Sequence, residues 1–337
     1  VPAARTEVTE LVTGLGMLGR FDDPVEAVRA RPSEVANVDA EVWDRLAESV
    51  EAPAHRHHVF AAWANGEAFL RADQGLRGRR PLVVEWKGPQ RAPGDEVVPA
   101  DLRVDHVYLV SCKYLSQILV NASPSHVFEH LLRGGPRATA GDWYAEVAPD
   151  AYQELYGAVR AELPGDLRLP PYAADLTPAH RLTLRSMLAD RHWPLAVQPL
   201  ARQWACEVGR ASAARWRAAL DGKREQEAML WRLLRIGSAP YFVLGTADRR
   251  TLRLRIATPW DWRRAYELKR FDVAGDDAGQ PVVRWTASVR VRDTGEDREV
   301  AGHVEVRWSH GRFGGFPEAK AYLDTPHHRV PGYITVA

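Results

Sequence analysis

Between Pro81 and Tyr114 the chain changes texture. Three short runs rich in Val, Leu, Trp and Tyr are crowded between turn residues, while the blocks on either side repeat their apolar residues at helical spacing. Short alternating runs require a sheet, and i, i+3, i+4 repeats require helices that bury one stripe against it. The β texture returns after Gly237. A chain carrying both patterns is restricted to a mixed fold, α/β around the strand cluster and α+β overall.

Residues 4–72 read as helical. Val8, Leu11, Val12 and Leu15 keep helical spacing, as do Val42, Trp43 and Leu46 behind Asp39, a potential N-cap. A further pattern over 57–72 carries Phe60, Trp63, Phe69 and Leu70 before Gly75, Gly78 and the basic Arg77, Arg79 and Arg80 end it. Strands are expected at 82–86, 101–104 and 107–114, the last two joined by a tight turn at Asp105-His106. Gly88-Pro89 and a polar loop through Pro93-Gly94-Asp95 separate the first strand from the other two. Ser123-Pro124 is a cap followed by a first-turn proline, opening a helix with Val127, Phe128, Leu131 and Leu132 that stops at Gly134-Gly135. Helices are expected at 150–163, from Thr177-Pro178 to about Asp190, and over 199–236. Strands follow at 241–244, 252–256, 282–291, 303–308 and 319–323. The expected division is a helical region at 1–75, an α/β core at 76–140, a helical region at 141–236 and a β-rich domain at 237–337.

Charge narrows the function. Lysine plus arginine number 45 against 44 acidic residues, a net charge of +1, so a polycation that coats nucleic acid is excluded and any DNA contact must be a local patch. The two cysteines, Cys112 and Cys206, cannot make a four-ligand zinc site alone and point to a reducing, cytoplasmic setting. No run of about 18 apolar residues is present, so no transmembrane helix is expected. The opening residues Val1 to Glu7 lack the pattern of a signal peptide. Glycine-rich phosphate loops, nucleophile elbows and HExxH are absent.

The residues that carry chemistry are Asp101, the triplet Ser111-Cys112-Lys113, and Glu129. A metal-dependent nuclease needs carboxylates that hold Mg²⁺ beside the scissile phosphate, and a lysine that positions the attacking water helps it. A hairpin supplies this arrangement: an aspartate opens one strand, and an acid-x-lysine triplet on the next puts acid and lysine on one face. Here Ser111 and Lys113 share a face, and serine stands where the acid would be.

In these residues the chain resembles the PD-(D/E)xK restriction-endonuclease-like superfamily, within a subgroup whose triplet is serine-x-lysine and whose missing glutamate comes from the following helix. The resemblance spans about fifty residues. It implies a restriction-endonuclease-like core and Mg²⁺- or Mn²⁺-dependent cleavage of DNA in restriction, phage defence or repair. Asp101 would bind the metal, Lys113 would be the catalytic lysine, Glu129 the relocated glutamate, and Ser111 would hold the vacated acid position. The family's proline directly precedes its aspartate, whereas Ala100 here separates Pro99 from Asp101. Asp105 is an alternative to Asp101. Glu85-Trp86-Lys87 is a second acid-x-lysine triplet, either a pair with Asp73 or a source of Glu85 as a further metal ligand, and Glu67 is a weaker acid. The strand of Lys113 is expected to be the central one. A non-catalytic DNA-binding or scaffold subunit on a decayed nuclease fold is the alternative, and a homodimer or a partner protein fits both.

Arg77, Arg79, Arg80, Lys87 and Arg91 flank this site and could hold DNA phosphates. Arg307, Ser309, His310 and Arg312 enter a glycine-bounded loop with Trp308 and Phe313, where arginine and aromatic residues could meet bases. Trp260 and Trp262 suggest the same role, although tryptophans in such regions more commonly belong to a core. The His55-Arg56-His57-His58 cluster reads as a helix-start surface feature. Glu318-Ala319-Lys320 is a third acid-x-lysine triplet without a partner aspartate.

Overall fold

The computed structural model describes residues 4–88, 99–114, 118–132, 141–189, 192–247, 250–276 and 279–336. Arg91, the loop at Pro93-Gly94-Asp95 and the expected helix stop at Gly134-Gly135 lie outside them. In chain order come α1 (Ala4–Gly16), α2 (Pro24–Ala30), β1 (Val35–Ala36), α3 (Ala40–Glu51), α4 (Arg56–Arg71), β2 (Val84–Trp86), β3 (Leu102–Val104), β4 (Tyr108–Tyr114) and β5 (Ile118–Ala122). A π-helical turn at His126–His130 is followed by α5 (Trp143–Val147), α6 (Pro149–Glu162), α7 (Pro178–Met187), α8 (Gln198–Ala219) and α9 (Lys223–Leu233). The remainder is β6 (Tyr241–Ala247), β7 (Arg250–Ile256), α10 (Pro259–Ala265), β8 (Tyr266–Asp276), β9 (Val282–Val291), β10 (Asp297–Arg307), β11 (Glu318–Leu323) and β12 (Tyr333–Thr335). The fold is mixed α/β with two sheets, α+β overall.

The chain forms two compact units, each assembled from separated segments. The first comprises Val1–Gln117, Arg235–Ala265 and His327–Ala337; the second comprises Ile118–Leu234 and Tyr266–Pro326. The four consecutive regions expected from sequence are distributed over these two bodies.

In the first unit seven strands run in the order β1-β2-β3-β4-β6-β7-β12, so β4 is the middle strand. β2, β3 and β4 form an antiparallel meander, and β6 lies parallel to β4 on its other side. The turn between β3 and β4 has positive φ at both Asp105 (49°) and His106 (59°), the backbone of the two-residue hairpin turn that matches strand twist. The side chain of Asp105 accepts from the main-chain N–H groups of Leu82 (2.7 Å) and Val83 (3.1 Å) and meets Arg79 at 3.6 Å. One face of the sheet packs on α1 and α4, with α3 against those helices, and Val8, Leu11, Leu15, Trp43, Trp63 and Phe69 join Val84, Leu102 and Val110 in one core. Asp39 caps α3 by accepting from Val42. β4 and β6 approach so closely at Gly245 that a Cβ there would lie 1.8 Å from the Lys113 carbonyl oxygen.

In the second unit five strands run β5-β11-β10-β9-β8, all antiparallel. The expected amphipathic stretch over 199–236 is two helices, because α8 ends at Ala219 and α9 starts at Lys223 after Gly222. α8 lies on β8, and a Cβ on Gly209 would meet the Val282 carbonyl at 2.9 Å, so the small residue sets the helix-to-sheet distance. The unit's core is aromatic: Phe128 touches Trp143 and Trp216, and Trp216 leads on to Phe271 and Trp285. Thr177 makes a capping box with His180 at the start of α7. Among the described residues no helix is long and apolar enough to cross a membrane.

Candidate active site

The centre of the first sheet holds the sequence-derived cluster. β2 pairs with β3 and β3 with β4 so that Trp86 is opposite Leu102 and Leu102 opposite Val110. One residue further, Lys87, Asp101 and Ser111 fall in a row across the three strands. Alternation along β4 then puts Lys113 on the same face as Ser111, while Val110, Cys112 and Tyr114 turn to the helical side.

Asp101 is buried, at 5% exposure, and Ser111 is wholly buried. Asp101 sits just before β3, its N–H bonded to the Val110 carbonyl (2.8 Å) and its own carbonyl receiving Lys87 N–H (2.9 Å). Its Oδ2 accepts from Cys112 N–H at 2.7 Å and from Ser111 Oγ at 3.2 Å. The carboxylate thus takes over a main-chain donor of β4 at the point where β3 begins, which fixes its rotamer. Ser111 does what a hydroxyl can do in an acid's place: it donates to the neighbouring carboxylate instead of repelling it.

Lys113 is half-buried and makes no hydrogen bond or ion pair among the described residues. Its carbonyl faces Gly245 across the parallel β4–β6 pair.

Other acids of the sequence pattern are tied down. Glu85 forms a fork-to-fork pair with Arg103 (2.5 and 2.7 Å) and meets His106 at 3.0 Å. The Arg103 bond, with Arg103 and His106 charge behind it, holds the Glu85 carboxyl below its usual range despite partial burial. Asp105 is engaged by the Leu82 and Val83 amides at the hairpin turn. Glu67 pairs with Arg71 at 3.3 Å, whereas Asp73 is exposed and it is its main-chain carbonyl that accepts from Arg77 Nε. Glu129 belongs to the second unit, in the π-helical turn, where Arg215 holds it at 2.8 Å and His130 lies 3.8 Å away. No group of three or more His, Cys, Asp or Glu side chains fit to hold a metal occurs among the described residues, the 55–58 histidines included.

On the helical side, Tyr114 Oη bonds Thr13 (2.8 Å) and Asn65 (3.1 Å), and Asn65 links on to the Gly245 carbonyl and to Arg253. Burial pushes the Tyr114 hydroxyl well up, so it stays neutral, accepting from Asn65 Nδ2 while its proton is available to Thr13. Burial, with Asp101 and Glu10 adding to it, also pushes the Cys112 thiol far up, which removes it as a nucleophile. This network was not legible from sequence, because its members come from five separate elements.

Of the basic residues proposed for DNA, Arg77, Arg79 and Arg80 are exposed. In the second unit Arg307 is exposed and pairs with Glu305 at 3.2 Å, and His310 lies 3.9 Å from Glu318. Arg312 lies 4.0 Å over the Trp193 ring and donates to the His192 carbonyl. Trp262 is fully buried, its indole bonded to the Pro331 carbonyl, and so belongs to the core; Trp260 is exposed under Arg264. Glu318 accepts from Ser309 and lies 3.5 Å from Lys320, so the third triplet is a local ion pair on β11.

A buried carboxylate and a half-buried lysine thus share one face of the central hairpin. No protein-family model, curated protein or solved structure matches the chain.

Proposed function

We propose that the first unit is a Mg²⁺-dependent (or Mn²⁺-dependent) nuclease centre on a restriction-endonuclease-like core, hydrolysing phosphodiester bonds of DNA. The observation that carries it is Lys113: a half-buried lysine without a partner among the described residues, on the middle strand, sharing its face with the oriented carboxylate of Asp101. Mg²⁺ is commonly held by one or two carboxylates, with substrate phosphate and water completing its shell, and Asp101 can begin that donor set. Glu85 would have to exchange Arg103 for the ion to add a second carboxylate. The ion, when bound, neutralises phosphate charge and makes a coordinated water more acidic. Ser111 and the Cys112 amide keep Asp101 in one rotamer. Lys113 directs its three N–H donors at the attacking water and at a non-bridging phosphate oxygen, where charge grows in the transition state.

The test is cleavage of plasmid, linear duplex and single-stranded DNA with Mg²⁺ or Mn²⁺, alone and with any protein that co-purifies. Asp101→Asn and Lys113→Met should each abolish cleavage and leave the melting temperature near that of the wild type. A Lys113→Met protein that cuts as fast as the wild type removes this site from the chemistry. A non-catalytic DNA-binding or scaffold subunit is favoured by a separate observation, that the acid position is a serine already bonded to Asp101. Wild-type protein that binds DNA yet cuts none of these substrates identifies that role.

A further inference from the structure

The second unit contains a cleft of about 510 Å³, inside the roughly 300–1,000 Å³ range of small-ligand sites. Its aromatic wall is Tyr144, Trp193, Trp204 and Trp308. Trp204 and Trp308 stack at 5.2 Å and 13°, and Tyr144 stands edge-on to both at 4.7 Å. The rim carries Arg202, Arg307 and Arg312, and neither aspartate nor glutamate lines the cleft among the described residues. Arg307 leans on Glu305 outside the lining, whereas Arg202 has no acidic partner among the described residues. The buried indole nitrogens of Trp204 and Trp308 have no hydrogen-bond acceptor among the described residues.

These features ask for one kind of occupant. Indole faces take a planar π-system, and Arg202, which has no acidic partner among the described residues, takes an anion, its fork matching phosphate in particular. We propose that this cleft binds a single unstacked nucleotide, its base against the Trp193–Trp308 wall and its phosphate at Arg202 and Arg307. Base stacking on aromatic side chains tolerates any base, so the site selects unpaired nucleotides over duplex and reads little sequence. The inference concerns binding in the second unit and is independent of whether the first unit cuts DNA.

The experiment is calorimetric titration of the full chain with dAMP, with inorganic phosphate, with an eight-nucleotide oligothymidylate, and with the same oligonucleotide carrying abasic sites throughout. Saturable binding of dAMP, at least tenfold tighter than inorganic phosphate, is expected. Arg202 and Arg307 are exposed, so Arg202→Ala with Arg307→Ala should keep the fold, weaken dAMP at least tenfold and flatten its salt dependence. Trp193→Ala should weaken it about tenfold, and Trp193→Phe should recover most of that loss. Oligothymidylate binding tighter than the mononucleotide, and lost in the abasic strand, identifies a nucleic-acid strand as the source; the reverse order identifies a free nucleotide. Equal affinity for phosphate and dAMP, no binding of dAMP or oligonucleotide, or binding indifferent to these substitutions overturns the inference. Asp101→Asn should bind as the wild type does, which separates this site from the nuclease centre.

Discussion

Placing an acid at position 111 tests the site electrostatically without relying on turnover. Ser111 Oγ lies 3.2 Å from Asp101 Oδ2 in a wholly buried position. Ser111→Asp puts a second carboxylate oxygen at about that separation. At an effective dielectric constant of about 20 two unit charges at this distance repel by about 5 kcal/mol. The variant escapes part of the cost by keeping a proton, so one carboxyl of the pair acquires a raised folded-state pKa. A carboxyl raised on folding costs nothing where both states are protonated. It destabilises increasingly as pH rises from the unfolded value of about 4 towards the folded value. The penalty is therefore small at pH 4, about 4 kcal/mol at pH 7 and full only above about pH 8. At roughly 2–4 °C of melting temperature per kcal/mol, a fall of about 8–16 °C at pH 7 is expected. Ser111→Asn is the control: it brings similar bulk and overpacking without charge. Differential scanning fluorimetry of both variants, across pH 4–8 and with Mg²⁺, Mn²⁺ or Ca²⁺ at millimolar concentration, reads the outcome. The Asp variant should recover most of its loss on adding divalent ions, and the Asn variant should ignore them. Coincident melting of the two variants at pH 7 would refute the charge argument, and a deficit in the Asp variant that no divalent ion repairs would refute the metal site.

Three further outcomes are expected. Gly245→Ala drives a Cβ to within 1.8 Å of the Lys113 carbonyl, a clash between two backbones that cannot relax without parting β4 from β6; chemical denaturation should show a loss of about 4 kcal/mol or more, at the upper extreme for single substitutions. Replacing Arg77, Arg79 and Arg80 together with alanine should weaken DNA binding and lower the slope of log affinity against log salt by about 0.9 per lost phosphate contact; an unchanged slope moves the DNA surface elsewhere. Arg103→Met removes the bond that holds the Glu85 carboxyl low. Such a group stabilises above its unfolded pKa and loses that contribution as pH falls through the folded one. The variant should then trail the wild type by up to about 1 kcal/mol in urea at pH 7 and close the gap as the pH falls below the carboxylate range.

Local signals carried the hairpin and its neighbours. Asp105-His106 between alternating runs gives the two-residue turn, Asp39 and Thr177 cap helices as their positions indicate, and alternation places Ser111 with Lys113. What failed to show was written in no local pattern. β8 was missed because its charged residues Glu267, Lys269, Arg270 and Asp272 mask the apolar set, and a bulge between Leu268 and Arg270 breaks the alternation. β5 and β12 are short, and each depends on a distant partner, β11 and β7. The neighbour that makes β4 central, β6, begins at Tyr241 on the far side of a long segment belonging to the other unit. The cleft draws its aromatic wall from α5, α8, the loop at Trp193 and the end of β10, so each tryptophan by itself reads as core.

The interleaving of the two units has a consequence in time. A ribosome delivers roughly 5–20 residues per second, so β4 is made and then waits on the order of ten seconds for β6. During that interval the edge of β4 that will receive β6 presents unpaired N–H and C=O groups, with the half-buried Lys113 beside them. An open strand edge invites pairing with another chain, and a lysine set within it is one of the residue types that discourages such pairing. The side chain singled out for chemistry would then also guard the half-made sheet, and its replacement should show first in yield during rapid expression, before any purified protein is assayed.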